Sequence, residues 1–194
     1  MGLLVMILGL VLFLGVHTLT TQRKVRAQII ATSGEGGYKA GYSLVSAAGL
    51  ALIIWGFARY RATGWIDVWY PPVALKHIAV ALMLPAVILV VASYIRGRIY
   101  ATLKHPMLAG VKLWAAAHLI ANGDLGSIIL FGSFLGWAVF DRISLKRRGD
   151  AGAPPIPVGG PANDLIAVAV GVVAYLALAF AFHPVVIGVP VVGV

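Results

Sequence analysis

Apolar positions in this chain gather into long blocks instead of alternating with polar ones. Six such blocks run over about 3–20, 40–57, 75–94, 106–121, 125–140 and 165–182, separated by shorter polar stretches. A helix of about 20 apolar residues crosses the roughly 30 Å hydrocarbon core of a bilayer. No period-two strand pattern recurs, and backbone inside lipid must satisfy its own hydrogen bonds, which favours helices. The pattern predicts an all-α, polytopic transmembrane helix bundle of about six spans, forming one domain over 1–194. Pro85, in the middle of the third block, is expected to kink it. Gly132-x-x-x-Gly136 in the fifth is expected to admit a neighbouring helix closely. The Pro- and Gly-rich stretch 149–163 reads as a flexible cytoplasmic loop. The apolar tail 183–194, broken by Pro184 and Pro190, is too short to span and is expected at the membrane interface or folded back into the bundle.

Charge then orients the blocks. The first, third and fifth polar stretches hold eleven basic residues: Arg23, Lys24, Arg26, Lys39; Arg96, Arg98, Lys104; Arg142, Lys146, Arg147, Arg148. The second holds three, Arg59, Arg61 and Lys76, and the fourth, Asn122-Gly123-Asp124, holds none. Basic loops stay cytoplasmic, so both termini are predicted periplasmic. The N-terminal block lacks a basic leader and a small-residue cleavage pattern, so it reads as a retained span. Trp65, Trp69 and Tyr70 around Asp67 read as an interfacial aromatic anchor on the outer face.

Composition narrows the classes. Of 194 residues 61% are hydrophobic and 11% charged, with a mean hydropathy of +0.97. A soluble domain of this size could not bury so much apolar surface, so the lipid bilayer is the first partner. The net charge of +9 sits between apolar blocks and reports topology, and no nucleic-acid partner is expected. The absence of cysteine removes disulfides, thiolate ligands and thiol nucleophiles together.

Carboxylates are scarce. The single glutamate, Glu35, falls in the 34–37 turn, and every aspartate falls near a block end or in a loop. No Walker loop, helical His-Glu-x-x-His motif or paired-carboxylate site is present, and no mid-membrane carboxylate is expected. Five histidines remain: His17, His77, His105, His118 and His183. On a helix, His118 shares a face with Trp114 and Asn122, four residues to either side. His105 and Lys112 share another face. Each imidazole could simply bond a neighbouring carbonyl or hydroxyl. Two histidines in a bundle without buried acids point instead to neutral imidazole as a metal ligand, with haem b as the cofactor that needs only two axial nitrogens.

The chain resembles the NnrU family over nearly its whole length. The residues that carry the likeness are Leu14-Gly15-Val16-His17, Tyr42-Ser43-Leu44-Val45-Ser46, Ile54-Trp55-Gly56, Tyr70-Pro71-Pro72 with Lys76-His77, and His105-Pro106-Met107-Leu108-Ala109-Gly110-Val111-Lys112-Leu113-Trp114 continuing to Ala117-His118-Leu119-Ile120-Ala121-Asn122-Gly123-Asp124. The resemblance implies a bacterial inner-membrane protein associated with denitrification and nitrogen-oxide metabolism. It also implies distant kinship with the plant 15-cis-zeta-carotene isomerase, a haem-b membrane enzyme. His17 and His118 match the positions of its histidine ligands, while its alternative cysteine falls at Ala115.

Depth complicates that pair. In the predicted topology His17 and His118 lie near opposite edges, each roughly 9 Å in, leaving about 12 Å of vertical offset. His17 with His105, or His118 with His77 or His183, agree better in depth. The leading expectation is a haem-binding membrane protein, with redox or respiratory nitrogen-oxide enzymes as partners. The alternatives are an accessory or assembly factor without cofactor, and an S-adenosylmethionine-dependent methyltransferase suggested by His105-Pro106-x-x-x-Gly110. The last lacks the later glutamate that such a site needs, with Asp141-Arg142 the nearest substitute.

Overall fold

The computed structural model describes residues 1–148 and 157–191, and they are almost wholly helical. In chain order the helices are α1 (Gly2–Leu19), α2 (Arg23–Thr63), α3 (Val73–Ala92), α4 (Arg98–Leu103), α5 (Pro106–Ala121), α6 (Leu125–Arg148) and α7 (Pro161–Ala177), the last continuing as a π-helix over Leu178–Ile187. Five of these stretches are long and apolar enough to cross a membrane, and Pro106–Ala121 is a shorter apolar helix. Large apolar side chains face outward along them, Leu44 at 71% exposure and Val173 at 67% among them. In water that surface would be costly; in lipid it is the expected face. The protein is a multi-pass helical membrane protein.

The chain divides into two compact units. The first comprises residues 1–70 and 122–150, so it contains α1, α2 and α6. Its α1 and α2 form an antiparallel hairpin sealed by glycines seven apart. A Cβ on Gly9 would lie 2.6 Å from the Ile53 nitrogen, and one on Gly49 would lie 2.8 Å from the Phe13 nitrogen. Gly2 meets the Tyr60 backbone and Gly56 the Met6 backbone in the same way. Two helical turns separate the members of each pair, so both helices present a smooth stripe to each other. Met6 and Leu10 are buried along that seam.

Loop 64–70 closes the other end of this unit. The Val68 and Trp69 amides donate to the Gly123 carbonyl at 2.8 and 3.0 Å, and the Leu125 amide donates to Ile66 at 2.9 Å. A single antiparallel bridge, Asp67 with Asp124, results. Tyr60 anchors the loop from below, its hydroxyl accepting from the Ile66 amide at 3.0 Å, while its ring fills the space beside Gly126.

The second unit comprises residues 71–121 and 151–194, which bring in α3, α4, α5 and α7. Here α3 packs against both α5 and α7. Gly110 of α5 sits against the Ala86 carbonyl, where a Cβ would lie 2.8 Å away, and Gly171 of α7 sits against Ile88. Polar side chains then tie element to element. Asp164, in the first turn of α7, accepts the Arg98 and Ile99 amides, both at 3.0 Å, and so caps α4. Asn163 Nδ2 donates to the Arg96 carbonyl at 2.9 Å, and the Tyr175 hydroxyl donates to the Val80 carbonyl at 3.1 Å.

Several expectations change. The first polar stretch is not a loop: α2 starts at Arg23 and runs 41 residues, interrupted by Gly34 at φ 73° and ψ 166°. Only a residue without Cβ adopts that conformation cheaply, so Gly34 breaks the helix without ending it. Glu35 begins the next turn and pairs with Lys39 at 2.8 Å, the i,i+4 spacing of a helix. Among the described residues no neighbour approaches Gly132 or Gly136, where nothing lies within 4 Å of a Cβ. Part of the predicted 149–163 loop lies outside the described residues, but 161–163 open α7, with Pro161 at the start of the helix where a missing amide costs nothing. The tail residues 183–187 are helical too, since the π-helix carries through Pro184 and stops at Gly188, which is left-handed at φ 75°. Residues 192–194 of that tail lie outside the described residues.

Candidate functional site

Two of the sequence-predicted histidines sit in the same local structure. At the end of α1, His17 Nδ1 donates to the carbonyl of Phe13, four residues earlier, at 2.6 Å. The imidazole also stacks on the Phe13 ring, with centroids 4.2 Å apart and planes 28° apart. In α5, His118 Nδ1 donates to the Trp114 carbonyl at 2.8 Å. Its ring tilts against the indole at 5.4 Å. Helical spacing alone makes these contacts, because a side chain leans back over the turn that precedes it.

The bond fixes a tautomer. A carbonyl oxygen only accepts, so each Nδ1 carries the hydrogen, and in the neutral ring Nε2 is the lone-pair nitrogen. Metal-ligating histidines have this arrangement, with the second nitrogen held by a carbonyl. Around His17 threonine hydroxyls bond back to the helix: Thr18 donates to the Leu14 carbonyl, Thr20 to His17 and Thr21 to Thr18, each at 2.7 Å.

The surroundings of the two rings differ. His17 lies within 5.3 Å of the Tyr42 ring and meets Trp137 edge-on at 5.8 Å, with Phe134 behind Phe13. His118 faces a second imidazole: the His183 ring centroid lies 6.2 Å away, with planes 33° apart. His183 is carried by the π-helical stretch, a form of backbone frequent at functional positions.

The remaining candidates scatter. His17 and Asn122 belong to the first unit, whereas His118, Trp114, His105 and His77 belong to the second. His105 starts α5, its carbonyl accepting the Ala109 amide at 3.3 Å. His77 is exposed near the start of α3. Among the depth-matched pairs, the second unit thus brings His118 to His183.

One buried carboxylate does exist, against expectation. Asp124 is 1% exposed because loop 64–70 crosses over it. Its Oδ1 accepts the Ser127 amide at 2.8 Å, as a helix N-cap does, while Oδ2 is buried without a protein partner. Its partner across the bridge, Asp67, is exposed and accepts from Trp65 Nε1 at 2.6 Å and from the Tyr70 hydroxyl at 3.3 Å. The expected aromatic anchor is therefore organised around a carboxylate. Among the described residues no group of three or more His, Cys, Asp or Glu side chains could hold a metal ion.

These features define a polytopic helical membrane protein. The model of the NnrU protein family matches residues 5–191, so the chain belongs to the NnrU family. No curated protein and no solved structure matches it.

Proposed function

We propose that the protein binds haem b through neutral histidine, and that His118 and His183 are the residues that would hold it. The observation that carries this reading is the facing of the two rings, 6.2 Å between centroids. A metal–imidazole bond is about 2.0–2.1 Å, so two rings facing across one metal have centroids roughly 6 Å apart. A two-nitrogen site also suits a porphyrin, whose macrocycle supplies the other four ligands, where a protein-only cage would need more side chains. The chain's own residues do the rest. Trp114 holds the His118 proton on Nδ1, and the fully buried Ala115 and Ala117 keep that turn of α5 apolar. Bound haem would supply an iron centre for electron transfer or for double-bond isomerisation.

The family's association with denitrification supplies the setting: a bacterial inner membrane and a redox partner of nitrogen-oxide respiration. The basic ends of α2 and α6 then face the cytoplasm and both termini the periplasm. A terminus found cytoplasmic by reporter fusion overturns that orientation.

The haem reading is tested by a spectrum of protein purified in detergent from haem-replete cells. We expect a Soret band that shifts on reduction with dithionite. It is lost in His118→Ala, becomes five-coordinate in His183→Ala and persists in His17→Ala. Loss in His17→Ala moves the axial role to that residue, as the resemblance implied. Colourless protein overturns haem binding and leaves an accessory role in the membrane.

A further inference from the structure

The surroundings of His17 hold polar atoms that the haem reading does not use. Trp137 Nε1 and Ser46 Oγ are both buried without a protein partner. Buried polar side-chain atoms are ordinarily paired, so two unpaired ones on helices that both bring a ring against His17 call for an explanation. Trp137 lies against His17 edge-on. Ser46 lies on α2 between Tyr42, which packs on His17, and Gly49, which abuts Phe13. With Phe13, Tyr42 and Trp137 the cluster has aromatic rings on three helices, and the His17 ring, which Trp137 meets edge-on, carries an acceptor lone pair on Nε2.

The chemistry of an occupant follows from these groups. Trp137 Nε1 only donates, so the ligand carries an acceptor oxygen. The aromatic walls favour a flat conjugated ring. A site built among membrane-spanning helices is reached from lipid, so the ligand is lipid-soluble. None of the residues named is lysine or arginine, and Arg148, which reaches this end of α1, is already held by the Thr20 carbonyl and by Asp141, which disfavours an anionic headgroup. We propose that this cluster in the first unit binds the headgroup of a membrane quinone. A quinone carbonyl accepts from Trp137 and Ser46, and the hydroxyl of the reduced form donates to His17 Nε2.

The proposal is independent of the haem reading, which rests on the other unit. Full-length protein in detergent is titrated with a decyl-tailed benzoquinone and with its quinol, and haem content is measured on the same samples. We expect saturable binding of both forms. Trp137→Phe and Ser46→Ala should each raise the quinone dissociation constant about tenfold, as loss of a hydrogen bond worth roughly 1.4 kcal/mol does. His17→Phe should weaken quinol at least several-fold more than quinone, a change in ratio that a merely structural role would not produce. Gly132→Ala, at an open position, should bind as the parent does. Monodisperse elution checks the fold of each variant. Absence of saturable binding, or equal affinities in parent, Trp137→Phe and Ser46→Ala, overturns the proposal and leaves a bound water as the partner of these atoms.

Discussion

The two units solve the same packing problem by different means. The first brings backbone against backbone, with Gly2, Gly9, Gly49 and Gly56 letting the main chains of α1 and α2 touch between the buried side chains of the seam. The second relies more on polar side chains that reach main-chain groups, as Asp164, Asn163 and Tyr175 do. Their histidines differ in parallel. Both sit one turn after an aromatic residue and give Nδ1 to its carbonyl. In the first unit the ring then meets phenol and indole, and in the second it meets another imidazole. Local sequence sets the tautomer, and tertiary neighbours decide what the other nitrogen can hold. A four-residue motif alone therefore says little about which histidine binds metal.

The contrast can be broken at its strongest point first. Gly56→Leu drives a side chain into the Met6 backbone, which cannot move without parting the hairpin. Overpacking in a close-packed seam costs about 1–3 kcal/mol and more where backbone blocks relaxation. We expect loss of monodisperse protein on detergent gel filtration, and a well-behaved Gly56→Leu protein would refute the backbone seam. Asp164→Ala in the second unit removes both acceptors for the α4 amides and should cost about 1–2 kcal/mol. A lowered thermal midpoint, with the protein still folded, checks it. Tyr175→Phe loses one bond to the Val80 carbonyl, about 0.5–1.5 kcal/mol, read the same way. Gly132→Ala should raise stability slightly, by up to about 1 kcal/mol, because the added methyl meets no atom and alanine favours helix. A large loss there would mean that a neighbour occupies the open face.

The apolar blocks were legible because lipid demands length as well as hydrophobicity: the fourth block matches α5 at both ends, and the first and third come within two residues. What the pattern hid was helix that does not need lipid. Residues 23–39 are polar and yet helical, since backbone bonding there is compatible with water. The glycine reading failed for a different reason. A four-residue spacing drew attention to Gly132 and Gly136, while the working glycines are seven apart on two helices. Which stripe is used depends on the neighbour, and no single segment encodes that. Asp124 escaped notice because its burial comes from a loop more than fifty residues earlier in the chain. His183 was visible only as a depth match, because its meeting with His118 depends on the π-helix past Pro184.

The units are also interlaced along the chain. The first begins at residue 1, pauses after 70 and is completed only by 122–150, while the second begins at 71 and waits for the segment after 150. During synthesis, α1 and α2 emerge before α3, α4 and α5, yet their third helix, α6, comes after all three. The same holds one step later for α3 and α5, which wait for α7. No single cut in the chain can therefore release either unit intact. A fragment ending at 121 keeps the glycine hairpin but strands Gly123, the acceptor for Val68 and Trp69, on the missing piece. Each unit is thus complete in the sequence only after the other has been started.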